Sequence, residues 1–377
     1  MGVNTASAPH PPSAVPKGHS LRPIRVAPGR VLQATPVFDT YWRFAAARQD
    51  LFMRRVRGDQ PPWTDDPVLS RFRFTNAYRA SDRVSQYLIR TVLYEGPQTV
   101  AEICFRTLLF KVFNRIDTWE SLTSELGPPR LSTFNVDRCA RVLDRLMARG
   151  ERVYSAAYIM PSPQFGCARK HRNHLRMLAH LVEEGAPNRI GAARSLEEVF
   201  SVLRSYKSLG DFLAFQFTID LNYSAAVNFS EMDFVVAGPG ARSGIQKCFA
   251  DTAGLSDADV IRAVAERAPQ EFARQSLAFQ DLWGRPLQLI DCQNLFCEVD
   301  KYARVMHPEY TGASGRTRIK QTYVPRLSPL PQWYPPKWKL EVPRDACTAD
   351  TARPEATLRP LGVGHNGLPR TGRAIAV

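Results

Sequence analysis

The sequence lacks any apolar run of about 18 residues, the length that a membrane-spanning helix needs. Its first twenty residues, MGVNTASAPHPPSAVPKGHS, also lack the apolar core of a secretory signal. No two of its seven cysteines form a CxxC pair, and their odd number and scatter predict reduced thiols, mostly buried in the core. We therefore expect a cytoplasmic protein with no membrane partner.

Acidic residues are scarce at the two ends of the chain. Residues 1–38 hold four Lys or Arg and no acid, and residues 316–377 hold eleven Lys or Arg and four acids. The formal net charge is +14, so residues 39–315 carry only +3. Basic ends suit a polyanion, with nucleic acid first and an anionic membrane surface second. The alternative is that the basic ends are charged only to keep the protein soluble.

The same two ends hold 16 of the 29 prolines. Proline-rich sequence with few aromatic residues buries too little apolar surface to offset its chain entropy, so we expect residues 1–36 and 343–377 to be disordered basic tails. The segment VPRLSPLPQWYPPKWKLEVP differs, because it carries two Trp and one Tyr. We expect it to pack as an extended strap over the folded body, with a PxxP-type ligand as the alternative.

Residues 37–342 are predicted to form one mostly helical, all-α domain. Stretches such as FDTYWRFAAARQDLFMRRVRG and FNVDRCARVLDRLMARG place apolar residues at helical spacing and end at a glycine. Strand-like runs are few, namely 152–160 and 286–291.

The stretch FVVAGPGARSGIQKCF, residues 234–249, is rich in glycine but does not match a nucleotide loop. It has no GxxxxGK[ST], and its third glycine comes one residue too late for GxGxxG. It does fit a helix-hairpin-helix, in which a helix ending at Val235 and Val236 turns into a second helix whose first N–H groups hold a DNA phosphate. An ordinary turn between two helices is the alternative. The predicted DNA-binding residues are Gly238, Gly240, Arg242, Ser243 and Lys247.

A polar helix is predicted in LIDCQNLFCEVDKYARV, residues 289–305. Asp291, Asn294 and Glu298 follow one-turn spacings and share one helix face. Two carboxylates and an amide in this arrangement suit general acid–base chemistry, so these three are candidate catalytic residues. Lys301, on another face, is a candidate phosphate ligand. The alternative is a capping Asp291 and a solvated Glu298.

A second polar helix is predicted in RFRFTNAYRASDRVSQYLIR, residues 71–90. Its polar residues follow helical spacing, and its arginines suit phosphate binding, although a solvated face of ion pairs explains the same pattern. The predicted substrate- or phosphate-binding residues are Asn76, Arg79, Asp82, Arg83 and Gln86. His171 and His174 lack a further ligand at metal spacing, so no metal site and no cofactor are predicted.

The hairpin and the later Asp-ending apolar stretch LID together resemble the helix-hairpin-helix DNA glycosylase superfamily. This resemblance implies a catalytic role for Asp291. Bifunctional members carry a Schiff-base lysine in the hairpin, whereas this chain has Arg242 in that slot, so β-lyase chemistry is not expected.

A set of five ordered motifs resembles the phage thymine-hypermodification family over residues 38–325. This family includes the helical domain of 5-hydroxymethyluracil DNA kinases and the α-glutamyl/putrescinyl-thymine pyrophosphorylases, which are amino-acid:DNA transferases. Its kinases carry a separate P-loop domain, whose motif this sequence lacks. The motifs are YWRFAAARQDLFMRR, PPWTDDPVLSRFRFTNAYRASDRVSQYLI, FLAFQFTIDLNYS, GPGARSGIQK and DCQNLFCEVDKY.

The resemblance implies an enzyme that modifies a base in DNA. It would hold duplex DNA without sequence preference, extrude a 5-hydroxymethyluracil derivative and displace its pyrophosphate with an amine. Other base-modifying enzymes would be further partners. Two alternatives stay open, namely a monofunctional glycosylase that excises a modified base and a non-catalytic DNA-binding subunit that delivers a partner kinase.

Overall fold

The computed structural model describes residues 20–325, 331–343 and 346. Within this part of the chain there are thirteen α-helices and one three-stranded sheet, which confirms the predicted mostly helical fold. The helices are α1 (Pro36–Val56), α2 (Arg83–Tyr87), α3 (Val100–Phe113), α4 (Ile116–Leu126), α5 (Val136–Ala148), α6 (Lys170–Glu183), α7 (Ala186–Gly191), α8 (Leu196–Arg204), α9 (Asp211–Asn222), α10 (Pro239–Cys248), α11 (Asp257–Glu266), α12 (Ala268–Arg274) and α13 (Leu289–Met306). None of these helices combines the length and the apolar character that crossing a bilayer would require.

Helix α1 shows how local signals and burial combine. Its first turn is set by Thr35, whose side chain accepts a hydrogen bond from the backbone N–H of Val37, and by Pro36 at the first helical position. Farther along, the rings of Tyr41 and Trp42 are fully buried. The Tyr41 ring lies 4.7 Å from that of Phe296 in α13, so α1 and α13 share one aromatic core.

Helices α10 and α13 approach so closely that glycine is required between them. A Cβ atom on Gly240 would lie 2.3 Å from Cys297 Sγ, and one on Gly244 would lie 2.0 Å from the carbonyl oxygen of Phe296. A Cβ on Gly238 would lie 2.6 Å from the ring of Phe212. These glycines therefore allow close packing, whereas the sequence predicted that Gly238 and Gly240 form a turn that binds DNA.

The predicted helix-hairpin-helix is wrong, because its first helix does not form. Helix α9 ends at Asn222, and residues 223–238, which include Val235 and Val236, contain no helix. The backbone of this stretch bonds to a side chain instead: Asn222, the last residue of α9, accepts from the N–H of Phe229 and donates to its carbonyl oxygen. Such local bonds compete with helix formation. Gly238 is extended and caps α10, which begins at Pro239.

The prediction that residues 1–36 are disordered is wrong for the part that the structure describes. Strands β1 (Arg22–Ala27) and β2 (Arg30–Ala34) form an antiparallel hairpin, and β2 pairs with β3 (Phe249–Asp251) directly after α10. Alternate side chains of the hairpin are buried, and Arg22 forms an ion pair of 3.1 Å with the buried Glu271. This pattern was hidden by the proline and charge content of the segment. Residues 1–19 lie outside the described residues.

The predicted strap is confirmed for residues 331–343. The backbone N–H of Trp333 donates to Gln86 Oε1 (2.7 Å), and its ring packs on Tyr94 at 4.8 Å. The Tyr334 hydroxyl lies 2.7 Å from Ser81 Oγ. Of the tail predicted over 343–377, only Pro343 and Ala346 are among the described residues.

The two predicted strands are absent. Residues 152–160 form bends, and the backbone of Ser155 bonds to the end of α3. Residues 286–288 are irregular and lead into α13 because Gln288 and Asp291 form a capping box, which starts a helix where the apolar run suggested a strand.

We expect Gly244→Ala to destabilise the protein by about 3 kcal/mol or more, because the new methyl group meets backbone that cannot rotate away. Urea unfolding followed by circular dichroism measures the loss. Gly210→Ala is the matched control: its Cβ would meet nothing within 4 Å, and its φ of −69° suits any residue. Equal losses for both variants would contradict the proposed role of Gly244.

Candidate active site

Asp291 occupies the first turn of α13 and is buried. One carboxylate oxygen accepts from the N–H of Gln288 (3.0 Å) and the other from the N–H of Arg79 (2.9 Å). Burial and, next, the nearby charge of Glu231 raise the pKa of Asp291 to about 7, against the opposing effect of the two N–H groups. The carboxyl can therefore hold or release a proton near neutral pH.

Three other polar residues of α13 bond to segment 73–79. Glu298 accepts from the N–H of Thr75 (3.1 Å) and from Lys301 Nζ (2.8 Å). Asn294 donates to Thr75 Oγ1 (3.0 Å), and Lys301 also donates to the carbonyl oxygen of Arg73 (2.7 Å). The shared helix face is as predicted, but Asn294, Glu298 and Lys301 are engaged with the protein itself.

The side chains predicted from residues 76–86 also bond internally. Asn76 donates to the carbonyl oxygen of Ser81 (2.7 Å), and its backbone N–H donates to Asp82 Oδ1 (2.9 Å). Burial raises the pKa of Asp82 to about 6. Gln86 donates to the carbonyl oxygen of Ala80 and accepts from the strap, as described above. Of the five predicted residues, Arg83 alone is exposed.

Arg79 lies in the core, whereas the sequence predicted that it binds substrate or phosphate. Its guanidinium forms an ion pair with Asp220 of α9 (2.8 Å) and donates to Gln216 Oε1 (2.9 Å). The other oxygen of Asp220 pairs with Lys111 of α3 at 3.0 Å, and all three charged side chains are at most 3% exposed. We call Arg79, Asp220 and Lys111 the buried ion triad. Because both cations are committed to Asp220, Arg79 does not reach a ligand in this structure.

The predicted DNA-binding residues of α10 are likewise turned to α13. Ser243 donates to Asp300 Oδ1 (2.7 Å), and Lys247 forms a 3.1 Å ion pair with the same oxygen. Ser243 and Lys247 are buried, so direct contact of these side chains with a DNA phosphate is ruled out by the fold. The prediction failed because residues at i and i+4 lie on one helix face, and this face packs inward. Arg242 is half-exposed and lies 3.4 Å from Asp257.

A polar cleft of about 220 Å³ opens beside the first turn of α13. Arg285 spans it, with an ion pair of 2.9 Å to Glu231 and its guanidinium 3.8 Å from the ring centre of Trp338. Lys337 enters from the strap and donates to the carbonyl oxygen of Val227 (2.7 Å). The lining residues are Asn228, Phe229, Ser230, Glu231, Arg285, Gln288, Lys337 and Trp338.

Burial shifts the pKa values of two groups that line the cleft. Burial raises the pKa of Glu231 above its usual value, against the opposing charge of Arg285. Burial lowers the pKa of Lys337 to about 8, and Glu231 partly counters this. Gln288 lines the cleft and also caps Asp291, so the cleft and the Asp291 carboxyl are joined through one residue.

Sequence reasoning missed Glu231, Arg285, Lys337 and Trp338. Glu231 lies in a stretch to which the sequence assigned no element, and Arg285 follows a glycine in a loop. The one available signal was the strap, whose Trp and Lys residues are unusual for a proline-rich segment. These residues predict that the strap packs on the body, but they do not indicate which residues of the body it contacts.

Comparison with known proteins agrees with the resemblance. The family model for the helical domain of 5-hmdU DNA kinase matches residues 35–312. The 5-hmdU DNA kinase of Bacillus phage SP10 is 26% identical in an alignment of 309 residues that covers 76% of this chain and 48% of the kinase. The chain thus spans about half the length of this curated relative. No solved structure matches significantly.

The matched residues contain all of the helices from α1 to α13, so the family model covers the whole helical body that the structure describes. The chain belongs to the 5-hmdU DNA kinase helical-domain family, within the phage thymine-modification proteins.

We expect the carboxyl of Asp291 to titrate near pH 7. Its pKa is raised on folding, so it binds a proton more tightly in the folded state, and its contribution to stability falls as the pH rises from about 4 to about 7. Carbon-13 NMR of protein labelled at the Asp carboxyl carbons measures this, with Asp291→Asn to assign the signal. An Asp291 signal that titrates near pH 4 would contradict the burial argument.

We expect Asp220→Asn to destabilise the protein by about 3–5 kcal/mol, because Arg79 and Lys111 would lose their shared counter-charge inside the core. Asp211→Asn, in the same helix, is the control. Asp211 and its partner Arg204 are about half exposed, and such a pair contributes about 1 kcal/mol or less. Chemical denaturation of both variants compares them, and a small loss for Asp220→Asn would show that the triad is not held as a unit.

Proposed function

We propose that this chain modifies a 5-hydroxymethyluracil-derived base in DNA and that the base is bound in the polar cleft beside α13. The observation that carries the proposal is the set of groups lining this cleft: two cations, two aromatic rings and a buried carboxylate, with Asp291 next to them. Arg285 and Lys337 suit phosphate groups, and the aromatic lining suits contact with a base. Enzymes that act on a base in a duplex take it out of the stack, and a concave site is needed for this.

The proposed reaction is displacement of pyrophosphate by an amine. The bond between the methylene carbon on C5 of the base and the pyrophosphate oxygen breaks, and a carbon–nitrogen bond forms at the same carbon. The amine gives up one proton, and pyrophosphate leaves with the bonding electrons. In this proposal Glu231 accepts the proton, since its raised pKa makes it a stronger base than an ordinary carboxylate.

The remaining cleft residues have supporting roles in the proposal. Arg285 and Lys337 stabilise the negative charge of the departing pyrophosphate. The charge of Glu231 in turn raises the pKa of Asp291, because two nearby carboxyls disfavour ionisation together. Asn294, Glu298 and Arg79 hold segment 73–79 and α13 in place instead of reacting.

A second function is favoured by the comparison itself. The matched relative is a 5-hmdU DNA kinase about twice as long as the matched region. In this version the domain binds the hydroxymethylated base in the same cleft and presents it to a partner kinase. The cleft residues would then control binding of the base but no covalent step.

We expect Glu231→Gln to reduce amine transfer by about 100-fold or more, since it removes the proton acceptor and keeps the shape of the side chain. The protein is incubated with DNA that carries 5-hydroxymethyluracil or its pyrophosphorylated form and with a mixture of amines. Nucleosides are then analysed by mass spectrometry after digestion, and released pyrophosphate is measured. Lys337→Gln should likewise reduce turnover of the pyrophosphorylated DNA.

Matched controls are Glu266→Gln, which is exposed on α11, and Lys339→Gln, which is exposed in the strap two residues from Lys337. Both should keep wild-type rates. Phosphorylated base formed only with ATP and a partner kinase would support the second function instead. Abasic sites would indicate a glycosylase, and an unaltered rate in Glu231→Gln would remove Glu231 from the mechanism.

A further inference from the structure

A strongly basic surface lies outside the cleft, on two short extended segments that pair with each other. The N–H of Arg73 donates to the carbonyl oxygen of Gln321 (3.0 Å), and the N–H of Tyr323 donates to that of Arg71 (2.9 Å). Phe72 and Thr322 form the antiparallel bridge between them. We call residues 71–73 and 316–323 the basic ribbon.

The basic ribbon carries cations without counter-charges. Its exposed basic residues form no ion pair with any residue in the described ranges, unlike Arg54 and Arg149, which pair with Asp50 and Glu151 at 2.8 Å. The sequence has no acid between Asp66 and Asp82 and none between Glu309 and Glu341. The exposed cations of the ribbon are Arg71, Arg73, Arg316, Arg318 and Lys320.

Five like charges on two paired segments repel one another and destabilise the folded state unless a partner compensates them. Main-chain pairing of the two segments keeps Arg71 and Arg73 next to the 316–323 segment. Because folding already orders these cations, less entropy is lost when a ligand binds them. A surface of this kind complements a polyanion with regularly spaced charges. Duplex DNA offers one negative charge per about 1.7 Å along its axis.

The basic ribbon is also connected to the candidate active site. Segment 71–73 runs directly into segment 73–79, and Lys301 of α13 bonds to the carbonyl oxygen of Arg73. The same segment ends at Arg79, whose N–H bonds to Asp291. A DNA backbone bound at the basic ribbon would therefore lie near Arg73, at one end of segment 73–79. The other end of this segment, Arg79, contacts the carboxyl of Asp291.

We propose that the basic ribbon binds the phosphate backbone of duplex DNA, without reading its sequence. This rests on the proposed function in taking DNA as the substrate, and it assigns to the ribbon the DNA contact that the sequence had assigned to α10. Phosphate contacts position a duplex without distinguishing bases, so affinity should be similar for unrelated sequences and should fall steeply with salt.

The test measures binding of the full chain to two fluorescent duplexes of unrelated sequence and ordinary thymine content, by anisotropy, between 50 and 200 mM NaCl. We expect the triple variant Arg316→Ala, Arg318→Ala, Lys320→Ala to bind roughly tenfold or more weakly. Each lost phosphate contact should reduce the slope of log K against log salt by about 0.9. The double variant Arg71→Ala, Arg73→Ala should lower the slope by up to about twice that amount.

The matched control removes three other exposed arginines, which form no ion pair with described residues: Arg138→Ala, Arg141→Ala, Arg152→Ala. Its slope should equal that of the wild type. An equal loss in this control would overturn the ribbon as the binding surface, because total charge would then explain the binding. Unchanged urea unfolding of the ribbon variants shows that they remain folded.

A second arm uses vesicles that contain phosphatidylserine. If these vesicles bind the wild type and lose binding in the ribbon variants while DNA binding is unchanged, the ribbon is a membrane surface and the proposal is wrong. Because the duplexes carry no modified base, this test does not depend on turnover. If the ribbon variants bind DNA normally, the proposed DNA-binding role of the ribbon is wrong, and the proposed function is unaffected. If the wild type binds DNA but modifies no base, the proposed function is wrong, and the role of the ribbon is unaffected.

Discussion

The position of Arg79 is the constraint on which the rest of the structure depends. Its guanidinium pairs with Asp220 of α9, which also holds Lys111 of α3, and its backbone N–H bonds to Asp291 of α13. One residue thereby ties three helices from distant parts of the chain to one point. A buried cation is costly unless it is paired and hydrogen-bonded, so these elements can move apart only at a large cost in free energy.

This arrangement explains why the polar face of α13 does not open to solvent. Asn294, Glu298 and Lys301 continue the line that Asp291 begins, and each bonds to segment 73–79. Residues that the spacing suggested as catalytic therefore bond to the protein itself in this structure. The groups that we propose to react lie beyond them, in the cleft beside the first turn of α13.

The cleft is assembled from parts that are remote in the sequence. Glu231 follows α9, Arg285 precedes α13, and Lys337 and Trp338 belong to the strap. The ring of Trp338 packs on Tyr223 and Tyr334, and the hydroxyl of Tyr223 accepts from Arg79. The buried ion triad, the strap and the cleft are therefore one continuous set of contacts.

The sequence by itself determined the helical character of the body, the packing of the strap and the special position of Asp291. These follow from local patterns: helical periodicity, aromatic residues among prolines, and a carboxylate in the first turn of a helix. Only the tertiary structure decided that Ser243 and Lys247 are buried, that Arg79 pairs with Asp220, and that residues 22–34 form a hairpin. Spacing shows which residues share a face, whereas the partner of that face is set by contacts between segments far apart in the chain, and these contacts leave no local signal.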